Sequence, residues 1–481
     1  MALLNTNIGP ERVQVFDRPV GVVQIPGAAT SNTAFLISTT KVGAPLNTPT
    51  LVNTFEQFVD LFGDADEISY DGYYAVKGYY DNAGSGAIAI IVHVGTSPTA
   101  NSFIGNAALG TGLRALDVVD DVGLVCIPGL PLDMAYLVHG PLIDYSETVR
   151  AEFGSTLSTV YSLLAIPKEV TRANIDVQLL GPLTVDSVSG QDVVFDLAPT
   201  LTSITPGMIV KKAGAFVGVI TAVNDSTDTI TMTTVGTITA GDANITLHVP
   251  SAVSYKDLVV NNPSRLAAWY FNPVLVADES ISASPGDLAT VDPVGHAAGV
   301  ISRIDANIAI GGPSHAPAGI QFAGLAGIFG LALSLSERLD AEPLRLAFIN
   351  RITSFPGAGN IIFGGYSAAG SALTADEQLI QVMRTLQYIK GSLERGLRGF
   401  LWENFSPETQ SQVERAIESF LRNNIYLFPA GLPEAQQFRV LRVEPTQNEL
   451  DQGLLRVRVL VKPNKAVRFI EVALEFPIPT A

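Results

Sequence analysis

Cysteine occurs once in this 481-residue chain, histidine five times, and charged side chains make up only 16% of it. Each shortage excludes something. A lone thiol, Cys126 in the apolar run VGLVCIPG, allows no disulfide within the chain and reads as part of a buried strand. His93, His139, His248, His296 and His315 stand far apart, with no metal-type partner at helical or hairpin spacing. Lys and Arg number 29 against 46 Asp and Glu, a net charge of -17, which argues against nucleic acid because phosphate binding needs clustered cations. Asp120 and Asp121, and Asp64, Asp66 and Glu67, read as solvated loop residues, since their ladder is incomplete for calcium. No G-x-x-x-x-G-K-[ST] occurs, so a nucleotide P-loop is absent. The start MALLNTNIGPERV lacks the basic end, apolar core and cleavage site of a signal peptide, which leads us to expect synthesis and retention in the cytosol.

What is present is apolar and turn-rich. Hydrophobic residues reach 47%, ample for real cores, and the length suggests about three domains at ~150 residues each. With 43 glycines, 29 prolines and so little charge, much of the surface is expected to lie under partners. Ala316 to Ser336 is uncharged for long enough to cross a bilayer. Glycines at 319, 324, 327 and 330 interrupt it, and no basic anchor precedes it, so a buried core segment is expected and direct membrane insertion is not.

Periodicity gives a mixed α/β fold. Residues 1–20 form an arm with the alternating stretch RVQVFDRPV, and 21–100 run strand, turn, helix, helix, strand, ending in GAIAIIVHVG. A buried strand over Val122 to Pro128 is followed by a long helical stretch through YSETVRAEFGSTLSTVYSLLAIP. From about 181 to 252 the texture turns to Val, Thr, Ile and Gly, with three alternating strands separated by KKAGA and NDST. This marks an inserted all-β domain, possibly a barrel. Two long amphipathic helices lie between Ala375 and Asn424, and three alternating strands close the chain, Leu454 to Val461 being expected to pair with Val467 to Phe476.

One stretch is specified closely yet carries almost no reactive group: GAPLNTPTLVNTFEQFVDLFG, Gly43 to Gly63. Pro45 and Pro49 frame a turn, Thr54 and Gln57 have capping-box spacing, Phe55, Phe58, Val59 and Phe62 make one apolar face, and Gly63 closes the helix. Catalytic patterns are as scarce elsewhere. Gly365-Tyr366-Ser367-Ala368-Ala369 approaches a nucleophile elbow, but Ala369 stands where the sharp turn needs glycine. His315, in the loop GGPSHAPAG, reads as structural, and Lys390, Arg395 and Arg398 complement a helix dipole.

These residues resemble contractile tail sheath proteins. GAPLNTPTLVNTFEQFVDLFG is similar to the family's G-P-[LV]-N-x-P turn and capped helix ending in [LF]-F-G. In order follow AVKGYYDNAGSGAIAIIVHVG, LDVVDDVGLVCIPG, VDPVGHAAGVISRIDANIAIGGPSHAPAG with Asp305, Pro317 and Gly319 in place, RLAFINRITSFPGAGNIIFGGYS, and the paired helices RTLQYIKGSLERGLRGFLWENFSPETQSQVERAIESFLRNN. The resemblance covers about 20–170 and 255–481. Three positions depart from the family: no tryptophan precedes APA, GGYS replaces G-x-R-T, and Asn404 directly follows Glu403 in WENFSPE.

The resemblance implies a multi-domain organisation. Residues 21–110 and 341–481 would supply the two parts of a core domain, 111–180 with 253–340 a middle α/β domain, 181–252 the insert, and 1–20 with the last strands the arms. It implies stacked six-membered rings of this chain around an inner tube protein, with baseplate and terminal cap proteins at the ends, and contraction that drives the tube through a target envelope. Such a particle is a phage tail or a cell-encoded injection system, assembled in the bacterial cytoplasm, with no enzyme activity, cofactor or nucleic-acid partner. The arms would join neighbours by strand addition through Arg12, Val13, Val15 and Val20 at one end and Leu455, Val457, Val459, Phe469 and Val472 at the other. Glu414, Arg415, Glu418 and Arg422 would face the tube from the helix Pro407 to Asn424, while Val413, Ile417, Phe420 and Leu421 face the core. The alternatives are another self-assembling structural protein, of surface-layer or tube type, and a hydrolase using Ser367 and His315.

Overall fold

A computed structural model describes residues 24–28, 30–69, 71–150, 159–195, 201, 203–234, 238–259, 263–332, 341–368, 373–404, 406–443, 446, 448, 453–466 and 468. Along the chain, β1 (Thr33–Thr39) is buried at every position, and β2 (Thr50–Val52) leads into α1 (Phe55–Phe62). The cap is as the spacing predicts: the Gln57 N–H donates to Thr54 Oγ1 at 3.2 Å. The return bond reaches one residue further back, with Gln57 Oε1 accepting from the Asn53 N–H at 2.9 Å. Next come β3 (Ile68–Ser69), α2 (Gly72–Asn82), β4 (Ala89–His93), α3 (Ala100–Ile104), β5 (Leu124–Cys126), α4 (Leu132–Asp144) and β6 (Tyr161–Ala165).

The insert follows as β7 (Val177–Leu183), β8 (Val185–Ser189), β9 (Asp192–Phe195), β10 (Ile209–Lys212), β11 (Ala215–Asn224), β12 (Thr229–Thr234) and β13 (Ile245–Val249). The α/β part resumes with α5 (Ala252–Val259), β14 (Ala267–Phe271), β15 (Val274–Ala277), β16 (Leu288–Val291), α6 (Val294–Ala306), β17 (Gly330–Leu331), α7 (Ala341–Leu346), β18 (Ile349–Phe355) and β19 (Gly359–Phe363). Last are α8 (Ile380–Leu397), α9 (Pro407–Asn423), α10 (Glu434–Gln437), β20 (Phe438–Arg442) and β21 (Val457–Val461).

Nine strands form the main sheet, in the order β19-β18-β14-β6-β5-β1-β4-β2 with β3 on β1. Strands β18, β14, β6, β5, β1 and β4 run parallel. A parallel sheet is covered on both faces, and the side chains divide accordingly. Ala34, Leu36, Ile90 and Val92 point into one core, shared with α4 and α5; Phe35, Ile37, Ala89 and Ile91 point into the other, shared with α1, α2, α6 and the start of α8. Helices α2 and α6 touch through glycine: a Cβ on Gly295 would lie 2.1 Å from the Ala75 carbonyl oxygen, and one on Gly78 would meet the His296 ring. The sheet thus takes strands from residues 21–110, 111–180, 253–340 and 341–481 alike.

Two expectations need correction. YSLLA is a central strand, β6, rather than the end of a helix, because all five positions are buried between two helical layers and the alternation that marks a strand is lost. Ala316 to Ser336 is not a buried core segment over its described part, 316–332. It covers the outer edge of β19, where Gly319 and Leu325 donate to Ile362 and Asn360 at 2.9 Å, and ends in β17 against β15, with Ala323 buried but Ile320 and Phe329 exposed. Among the described residues no helix is long and apolar enough to cross a membrane. Val457–Val461 pairs with Phe438–Arg442, ahead of it in the chain; the expected partner on its other side, Val467 to Phe476, lies outside the described residues except for Arg468.

Among the described residues the insert is a seven-stranded antiparallel sheet in the open order β7-β13-β10-β11-β12-β9-β8, with no pairing that closes it into a barrel. It enters and leaves through one neck, since Val177 pairs with Val249. Its inner side chains, among them Val193, Ile220 and Leu247, join the same buried cluster as Leu132 and Val138 of α4.

Candidate assembly interface

Most residues that could do chemistry are enclosed, and His315 is half-buried. Ser367 is fully buried and its hydroxyl donates to the Glu377 carbonyl at 2.6 Å. His315 Nδ1 lies 2.8 Å from the carbonyl of Ala316, its own neighbour. Burial pushes the Cys126 thiol well up, and takes His139 down to about 3 and His296 down to about 4. No cluster of described His, Cys, Asp or Glu could hold a metal ion.

The parallel strands reverse their order of progression at β1, and a crevice outside the carboxyl ends of β1 and β5 is where an open α/β sheet ordinarily binds a ligand. Here Asp292 closes it. Its carboxylate accepts from the N–H groups of Gly129 and Val294, while Asp71 accepts from the Asp292 N–H at 3.0 Å and pairs with Lys168 at 2.8 Å. No space for a water remains beside it. Burial first, and the Asp71 charge second, push Asp292 up to about 7.

A second buried knot ties three distant pieces together. Arg384 of α8 pairs with Asp305 at the end of α6, at 3% and 6% side-chain exposure. Thr30 donates to the same carboxylate at 2.6 Å, and its carbonyl accepts from Arg384 at 2.8 Å. Burial raises the Asp305 pKa against the pull of Arg384. The chain ahead of β1 therefore lies along α8, with Thr30 beside Arg384, Ala28 donating to Ser392 Oγ at 2.9 Å, and Ile25 against Gly396.

The C-terminal region holds a separate small core. Val413, Ile417, Phe420 and Leu421 of α9 pack with Ile389, Leu427, Phe428 and Phe438. Ser406 caps α9, accepting from the Thr409 N–H at 3.1 Å. On its wetter positions Glu418 pairs with Arg422 at 3.6 Å, Arg422 with Glu434 at 3.0 Å, and Arg415 donates to the Ser411 carbonyl at 3.1 Å. Glu414 is half-buried on the same helix. Leu455, Val457 and Val459 turn one face onto this core, while the residues between them stay exposed. Arg12, Val13, Val15, Val20, Phe469 and Val472 lie outside the described residues.

Two surface features escaped the sequence reading. A cleft of about 290 Å³ opens beside β18 and β19, between the loop at Ala316–Gly319 and the chain at Ala466 and Arg468. Arg351 lies over the Phe363 ring there, 5.0 Å from its centroid. At the far end of α8, Leu401 and Trp402 stand out at 67% and 103% exposure, and Trp402 has φ +70°. The one sequence signal was the departure at WENFSPE.

No protein-family model matches the chain, and no curated protein does. Solved structures do. The extracellular contractile injection system PVC sheath complex in its contracted state superposes with TM-score 0.61 at 16% identity, over 98% of each chain. The helical sheath of the anti-feeding prophage in its contracted state gives 0.60 at 16% identity, covering 97% of this chain and 99% of that one. A chain of the anti-feeding prophage baseplate gives 0.57 at 17% identity, over 98% of this chain and all of that one. From end to end the protein has the mixed α/β fold of contractile sheath chains.

Proposed function

We propose that this protein is a sheath subunit that polymerises as stacked six-membered rings around an inner tube and contracts to drive the tube through a target envelope. The observation that carries the reading is the match over nearly the whole length of both chains to sheath structures, insert included. The plugged switch-point crevice and the buried Ser367 fit a protein that works by packing rather than by turnover. Heterologous contacts that do not close produce an open helical polymer, and contraction needs two packings of one chain separated by a barrier, the extended one trapped kinetically. That cycle consumes no nucleotide. Baseplate and cap proteins would close the two ends, and subunits would be made in the bacterial cytoplasm before entering the particle.

Within this reading the terminal arms join neighbours by strand addition. Residues 12–20 and 469–472 would supply backbone edges, and β21 offers an edge that carries no strand among the described residues. The charged face of α9, with Glu414, Arg415, Glu418 and Arg422, suits a tube contact that must slide, since rim charges set orientation more than adhesion. Negative-stain microscopy of the overexpressed protein tests the function. Wide, ridged hollow sleeves are expected. Sheets or narrow tubes would move the protein to another structural class, and turnover lost on Ser367→Ala would make it a hydrolase.

A further inference from the structure

The cleft beside β19 is furnished for an aromatic guest. Gln381 at its base is 1% exposed, yet neither its amide nitrogen nor its amide oxygen has a partner, an arrangement that costs free energy unless something arrives to bond them. Phe363 and the aliphatic wall at Ile349 and Ala318 supply apolar surface, and Arg351 and Arg468 put positive charge at the site in a chain whose net charge is -17. At about 290 Å³ the cleft sits at the small end of ligand pockets, ~300–1,000 Å³, a size that suits one large side chain.

The same chain carries a matching guest. Of its two tryptophans, Trp269 is fully buried in the main core, while Trp402 is fully exposed beside exposed Leu401 and Glu403. A bulky residue at φ +70° is strained by about 1–2 kcal/mol, so the turn that holds Trp402 out is specified against a local cost. An indole offers one N–H donor, which the Gln381 oxygen lacks, and a π face, which a guanidinium stacks on. Glu403 beside it complements Arg351 and Arg468.

Guest and host cannot meet within one copy. Gln381 is at the first turn of α8 and Trp402 lies beyond its last, and 18 helical residues separate those ends by roughly 27 Å. We propose that Trp402 of one copy seats in the Gln381–Phe363–Arg351 cleft of a second copy, a head-to-tail joint. The inference rests on the self-assembly reading and adds to it a specific contact. A knob and a socket at opposite ends of one helix make a heterologous interface, which links copies into a ring or into an open helical array according to the rotation between them.

Acrylamide quenching of the intact protein tests it, because Trp269 is inaccessible in any folded state and the accessible signal belongs to Trp402. The accessible fraction is expected to disappear in sleeves and to be present in dissociated subunits. Trp402→Ala and the socket-filling Ala318→Phe should each raise the concentration needed for assembly about thirty-fold, as removal of an interface hot spot does, with thermal unfolding unchanged. If Ala318→Phe does not fold, Arg351→Ala takes its place with the same expectation. Sleeves in which Trp402 stays as quenchable as in free subunits overturn the contact while leaving the sheath function standing. Loss of assembly in the socket variant alone overturns it too, and assigns the cleft to another segment such as a chain end. A wild-type chain that never self-associates removes both readings.

Discussion

The main sheet and the small C-terminal core are held together in different ways. In the sheet, β1, β4, β5, β6 and β14 are buried at every position, with one apolar cluster on each face and the Asp305–Arg384–Thr30 knot at the side. In the C-terminal core the described residues include eight buried apolar side chains, and β21 alternates half-buried with exposed positions beside an edge that has no partner among the described residues. The first region has nowhere to move, since packed interiors do not deform continuously. The second has exposed charges, a strained aromatic and a short hairpin at its surface. On the proposed function, a subunit that keeps its body and changes its neighbours would draw stability from the first region and assembly contacts from the second, together with the cleft at the β19 edge.

The comparison breaks first if the two cores respond alike to truncation. Phe35→Ala in β1, which removes a ring packed edge-on against Tyr79, should cost about 3–5 kcal/mol and lower the global unfolding temperature. Phe438→Ala should mainly raise hydrogen exchange in α9, β20 and β21, with the sheet amides unaffected. Equal global losses would merge the two regions into one cooperative unit.

Arg384→Ala is next. It leaves Asp305 buried without its cation and should destabilise by about 3–5 kcal/mol, whereas Arg384→Met with Asp305→Asn should recover much of that by chemical denaturation.

What the sequence revealed and hid follows the range of the interactions. Helix α1 was legible because its cap, its apolar face and its terminal glycine all lie within Asn53 to Gly63. The face of α9 was legible for the same reason. Strand β6 was not, because burial on both faces erases the period-2 signal, and the β20–β21 pairing was not, because two hairpins were available to the same strand. The Arg384–Asp305 pair joins residues 79 apart, and nothing local announces it. The arms were read from alternation and resemblance, and residues 12–20 and 469–472 lie outside the described residues.

A pH scan sharpens the account of the plugged crevice. Asp292 stays protonated in the folded chain up to about 7 but ionises near 3.8 once unfolded. Between those values the unfolded state holds fewer protons, so this group's contribution to stability falls as pH rises from about 4 to about 7 and levels off above. Asp292→Asn, which keeps the acceptor for the Gly129 N–H, should flatten that slope. An unchanged slope would mean that Lys168 and the N–H groups of Gly129 and Val294 hold the carboxylate ionised against burial and Asp71.

Reversing two surface charges on α9, Arg415→Glu with Glu418→Arg, should change stability by less than about 0.5 kcal/mol while weakening co-assembly with the tube protein. Undiminished co-assembly would move the tube contact elsewhere, α8 being the next helix to test.

The most direct measurement is sedimentation velocity of the full chain beside a chain lacking residues 1–20, with thermal unfolding followed on both. The account predicts that the full chain sediments as large polymers, that the shortened one sediments as a folded monomer, and that the two unfold at the same temperature. A shortened chain that still forms normal sleeves, or one that fails to fold, would contradict the separation of assembly from stability on which this account rests.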